Sequence, residues 1–77
     1  MLPVQCKMAR AALGLSEHEL AAKAGVSPDT VSRLENGETL HQRSGIAIRE
    51  ALEDAGVVFI DENGGGAGVR LRKAMLK

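Results

Sequence analysis

The sequence predicts a mainly α fold, a bundle of four short helices followed by a short C-terminal β-strand pair or hairpin. Three observations carry this reading. Apolar residues recur at helical spacing from residue 4 to residue 55. Serine starts and glycine stops divide that stretch at Ser16, Gly25, Ser27 and Gly37. After Gly56 the pattern changes to Val57-Val58-Phe59-Ile60, a β-branched and aromatic run too short for a helix.

The first helix is expected over residues 4–13, where Cys6, Ala9 and Leu13 fall three and four apart with Lys7 and Arg10 on other flanks. Ser16 and Glu19 form a capping box, so the second helix starts there, with Leu20, Ala21 and Ala24 as its apolar stripe. Gly25 can end it in a left-handed conformation that other residues enter only with strain. Ser27 followed by Pro28 is a second start signal, because proline at the first helical position loses only an N–H that would be unpaired anyway. The third helix buries Val31 and Leu34, turns Asp29, Thr30, Ser32 and Arg33 outward, and closes at Asn36-Gly37. A fourth helix begins between Leu40 and Ser44 and carries Ile48, Ala51, Leu52 and Ala55 on one face. Gly64-Gly65-Gly66-Ala67-Gly68 is a loop, and Val69-Arg70-Leu71-Arg72 alternates as a half-exposed strand does. The helical unit then spans residues 1–56, and residues 57–77 form a strand segment with a basic tail.

Seventy-seven residues support one small core. A chain of this size buries only roughly 60% of its unfolded surface, and a shared interface is a common remedy. Cys6 is the single cysteine, so no disulfide framework exists and a reducing, cytoplasmic setting is expected. No apolar run reaches membrane-span length, and MLPVQCKMAR does not read as a signal peptide, so no membrane association is expected. Ten Lys and Arg balance ten Asp and Glu, which argues against tight non-specific binding to nucleic acid. The charge is nonetheless segregated. Glu50, Glu53, Asp54, Asp61 and Glu62 face only Arg49 in residues 49–62, whereas Arg70, Arg72, Lys73 and Lys77 stand in a tail without acids. Two solvated faces of opposite sign account for this, as does a basic tail serving an acidic partner.

Two helices joined by Gly25, Val26 and Ser27, with Leu20, Ala21, Val26, Val31 and Leu34 inside, meet the packing needs of a helix-turn-helix. The stretch LGLSEHELAAKAGVSPDTVSRLENG, residues 13 to 37, resembles the lambda-repressor-like, Cro-type family, also called the xenobiotic-response-element family. Cap, turn and closing Glu35-Asn36-Gly37 all fall in register with it. QCKMAR and AGVVFIDENGGGAGVRLRK extend the likeness to small single-domain bacterial members. The resemblance implies a DNA-binding regulator whose base contacts fall on Pro28, Asp29, Thr30 and Arg33, with Ser27, His41, Gln42 and Arg43 at phosphates. Their chemistry suits these places. Arg33 can fork onto guanine, Asp29 can accept from cytosine, and the Thr30 methyl can meet thymine. Asp29 in a first turn is equally well explained by the helix dipole. The family also implies an internal Arg10–Glu35 ion pair. Glu17 departs from the pattern, since glutamine commonly stands there and touches phosphate; the N–H groups at the start of the second helix would have to hold the phosphate instead.

Other chemistries are not supported. Cys6 on an apolar stripe reads as a small buried hydrophobe rather than a nucleophile. His18 and His41 have no ligand spacing, so no metal and no cofactor are expected. The glycine run lacks the lysine and helix start of a P-loop. No convergent set of titratable groups marks an enzyme. The expected partners are a double-stranded DNA operator and a second copy, the homodimer forming through Val57, Val58, Phe59, Ile60, Val69 and Leu71, which are too apolar for an exposed edge. Action by operator occupancy, as repressor or autoregulator, follows. The competing reading is a protein-binding antiactivator or partner subunit on the same scaffold.

Overall fold

The computed structural model describes residues 1–72, so Lys73 and Lys77 of the basic tail lie outside the described residues. Four helices and two strands follow in order: α1 Pro3–Leu13, α2 Glu17–Ala24, α3 Pro28–Glu35, α4 Gln42–Asp54, β1 Val57–Ile60 and β2 Gly68–Leu71. The expected mainly helical architecture with a terminal hairpin is what forms.

Local chemistry sets most of the boundaries. α1 starts one residue earlier than the apolar spacing suggested, with Pro3 at its first position. At α2 the Glu19 amide donates to Ser16 Oγ at 3.0 Å and the Ser16 amide donates to Glu19 Oε1 at 2.9 Å. Gly25 closes that helix at φ 71°. At α3 the Thr30 amide donates to Ser27 Oγ at 3.3 Å, and Gly37 turns the chain away at φ 83°. α4 starts at Gln42 without any side-chain cap from His41.

The hairpin is antiparallel, with Val57 opposite Leu71 and Phe59 opposite Val69. β2 begins at Gly68, one residue before the expected Val69, because Gly68 pairs with Ile60. Arg72, expected to be the last strand residue, lies just beyond β2, yet its amide donates to Gly56 oxygen at 2.7 Å and prolongs the pairing.

Cys6, Ala9, Leu20, Ala21, Val31, Ile48, Leu52 and Val57 form the buried centre. β2 packs on α1 and β1 on α4. The sheet's inner face is therefore covered by the chain's own helices: Val57 is buried, and Phe59, Val69 and Leu71 pack against the core. Val58 and Ile60 alternate to the other face and are half-buried. Gln5 ties the open end of the hairpin to α1. It is buried, its Nε2 donates to the Ile60 and Gly68 oxygens at 3.0 Å each, and its Oε1 accepts from the Leu2 amide at 2.8 Å.

Candidate nucleic-acid interface

α2 and α3 meet through Leu20, Ala21 and Val31, all buried, and the Val26 amide donates to Ala21 oxygen at 3.0 Å across the turn. Ala21 is 2% exposed, so a larger side chain there would push the two helices apart. This fixes α3 with Asp29 and Arg33 exposed and Pro28 and Thr30 half-buried. The four residues expected to read bases lie on this one short helix. Thr30 is partly engaged already, its hydroxyl 2.9 Å from Ser27 Oγ. Arg33 Nε donates to Glu38 Oε1 at 3.3 Å, both side chains being about half exposed at 50% and 51%.

Behind α3 sits the ion pair that the family resemblance implies. Arg10 Nε donates to Glu35 Oε2 at 2.6 Å and Nη2 donates to Oε1 at 2.7 Å, a two-pronged contact between α1 and the end of α3. Arg10 Nη1 also donates to Leu15 oxygen at 3.2 Å, and the Cys6 thiol donates to Glu35 Oε2 at 3.2 Å. Burial by itself would raise the Glu35 carboxyl. The hydrogen bonds from Arg10 and Cys6 and the charge of Arg10 outweigh it and hold Glu35 below the usual carboxylate range. Burial, followed by the hydrogen bond to and the charge of Glu35, pushes the Cys6 thiol up to about 12. Cys6 is thus buried as expected, and it is also a donor in this network. Glu17, half-buried at the first position of α2, lies close to this pair, and its charge adds to the hydrogen bond and charge of Glu35 in favouring the protonated Arg10 guanidinium. At the place where the family resemblance implies a phosphate-touching glutamine, this chain has an acid beside the internal ion pair.

The starts of α2 and α4 then differ in charge. The start of α2 carries Glu17 and Glu19, whose charges oppose a phosphate there even though the amides of Glu17 and His18 have no helix partner. The start of α4 has no acid in its first turn and no side-chain cap. The amides of Ser44 and Gly45 return to His41 oxygen, leaving those of Gln42 and Arg43 unpaired by the helix. Here His41, Gln42, Arg43 and Ser44 line a surface recess of about 390 Å³. Three of the four residues expected at phosphates therefore converge on one helix start. Ser27 stands apart, capping α3. Among the described residues Arg43 takes part in no ion pair.

Two contributors escaped the sequence reading. Gln5 was visible only as a polar residue beside Cys6 on the buried side of α1. Glu38 follows the Asn36-Gly37 stop, where nothing local links it to Arg33. Among the described residues no group of three His, Cys, Asp or Glu side chains could hold a metal ion.

Two helices packed through buried Leu20, Ala21 and Val31 and joined by a tight glycine turn, the second exposing Asp29 and Arg33, define a helix-turn-helix protein of the DNA-binding class. A family model described as helix-turn-helix matches residues 7–53, more than half of the chain. The chain belongs to the Cro/C1-type helix-turn-helix family, one of DNA-binding regulators. No curated protein matches it. Among the described residues no helix is long and apolar enough to cross a membrane.

Proposed function

We propose that the chain binds a short palindromic operator as a homodimer and represses transcription, its own or another gene's, by occupying the site. The observation that carries this is the exposure of Asp29 and Arg33 on α3, whose last turn at Leu34 lines a recess together with His41 and Gln42 of the uncapped, acid-free start of α4. α3 would enter the major groove, with Pro28, Asp29, Thr30 and Arg33 toward bases. Gln42, Arg43 and His41 would meet the flanking phosphate, with Ser27 at the near edge of α3. Two such units need half-sites about one helical turn, roughly 34 Å, apart.

The dimer contact in this reading lies on the hairpin. With Val57, Phe59, Val69 and Leu71 turned to the core, Val58, Ile60 and the strand edges are what remains for a second copy. Stopping the chain after Gly56 removes the dimer contact together with Val57, and is expected to leave a monomer or an unfolded chain that binds far more weakly. Selection from a random duplex pool tests the proposal, a two-fold symmetric motif being the expected result. Sedimentation at micromolar concentration tests the dimer, and a clean 8 kDa monomer would exclude it.

A second reading, in which the scaffold sequesters another regulator, draws on the exposed Leu2, Val4 and Ile46 and on the zero net charge. No enrichment of any duplex at low salt would favour it over operator binding.

A further inference from the structure

Arg33 and Glu38 are joined twice. Their side chains meet at 3.3 Å through Nε, and the Glu38 amide donates to the Arg33 carbonyl oxygen at 3.0 Å. The left-handed turn at Gly37 makes the second contact, bringing residue 38 back over the end of α3. Glu38 is therefore positioned by backbone geometry, independently of its side chain. An exposed pair of this kind adds little to stability. Its consequence lies in the shape it imposes on the arginine.

A guanidinium is planar, with donors along two edges. Contact at Nε occupies one edge, and both Nη groups have no protein partner among the described residues. Those two groups form the end-on fork that matches guanine O6 and N7. A free arginine on the surface samples many rotamers and reaches phosphate oxygens as readily as bases. A carboxylate held beside the guanidinium restricts that search, and its negative charge disfavours a nearby phosphate as the arginine's partner.

We propose that Glu38 is a positioning residue for DNA readout, holding Arg33 through Nε so that its Nη fork is preset for a guanine and withheld from phosphates. This rests on Arg33 reading a base. It adds a residue outside α3 that sets how sharply the base is read. Glu38 touches no DNA in this arrangement and acts through Arg33.

The test uses the full chain, the duplex that it selects from a random pool, and a scrambled duplex of equal length. Glu38→Ala should lower the ratio of selected to scrambled affinity by about three- to tenfold, the range expected when one rotamer-rich side chain must be immobilised anew. Scrambled-duplex affinity should rise more than it does for Glu38→Ala in the Arg33→Ala background, where only the removed charge acts. Glu38→Gln keeps an acceptor for Nε and should fall between wild type and Glu38→Ala. In an Arg33→Ala background, Glu38→Ala should leave the ratio unchanged. A ratio that is unchanged or raised by Glu38→Ala in the wild-type background overturns the proposal, as does an equal fall without Arg33. If Arg33→Ala alone alters neither the ratio nor the selected motif, base reading by Arg33 itself is wrong. If Arg33→Ala is defective while Glu38→Ala is not, only the positioning role fails.

Discussion

Replacing Glu35 by alanine should be the most damaging single change outside the apolar core. The side chain is 3% exposed, and it accepts from Arg10 Nε and Nη2 and from the Cys6 thiol. Its loss leaves a guanidinium without its partner. Breaking a fully buried pair costs about 3 to 5 kcal/mol. The Arg10 side chain is 22% exposed, so water recovers part of that, and about 2 to 3 kcal/mol is the expected loss. Against a total of about 4 to 11 kcal/mol for a domain of this length, that is a large fraction. Urea unfolding followed by circular dichroism would measure it. The double variant Arg10→Met with Glu35→Leu should recover much of the loss, since a well-packed apolar pair can replace a buried ionic one. The pH dependence follows from the sign of the shift. Glu35 is held below its ordinary value of 4.5 in the folded chain, so its contribution is complete above that value. It disappears as pH falls through the lower folded value. A Glu35→Ala variant with wild-type unfolding and the same acid limb would refute this reasoning.

Cys6, raised to about 12, stabilises the fold fully below its ordinary value of 9.0, and that contribution is lost as pH climbs toward 12. At pH 8 its alkylation in native protein should therefore be slow, and denaturant should release it; fast native labelling would contradict the burial. Gln5→Leu leaves the Ile60 and Gly68 oxygens and the Leu2 amide without their partner, costing about 1 to 3 kcal/mol, with hydrogen exchange accelerating first in the hairpin. Arg33→Ala should cost about 1 to 3 kcal/mol of operator affinity and relax one base position, while Arg43→Ala should weaken all duplexes alike and reduce the salt slope by about one. Equal behaviour of the two arginine variants across sequences would sink the division into base and phosphate contacts.

The parts of the fold that were legible are those decided by neighbours in the chain. Ser16 with Glu19, Ser27 with Pro28, and the stops at Gly25 and Gly37 act over three or four residues, so their spacing is the mechanism itself. The start of α4 was ambiguous for the complementary reason. His41 makes no side-chain cap bond, and no local signal marks the boundary. The alternation of Val69 to Arg72 announced a strand and could not say which residue faces Ile60, because register depends on the partner. Gln5 was beyond reach, since its acceptors lie 55 and 63 residues away. The Arg10–Glu35 pair came from family resemblance, while the closeness of Glu17 to that pair was not foreseen, since it depends on how α2 packs beside α1 and α3.

The zero net charge looked like the strongest argument against DNA binding, and the structure changes what it means. Charge acts on a polyanion face by face, within about 8 to 10 Å at ordinary ionic strength. Glu35 is buried against Arg10 with Glu17 close by, and Glu38 is paired at the surface with Arg33, so part of the acid sum is already matched by the chain's own arginines. Asp29 stays outward in the first turn of α3, where it opposes phosphate and can accept from a cytosine. Of the three helix starts around the recognition unit, α2 and α3 each carry acid, and only that of α4 keeps its dipole free beside Arg43. Such a surface offers few phosphate contacts per protomer. Non-specific affinity is therefore expected to be weak and its salt dependence shallow, because each contact releases about one counterion. In the operator-binding proposal discrimination would then rest on the base contacts of α3, and a small regulator would gain from that balance, since little of it would be lost to the rest of the genome.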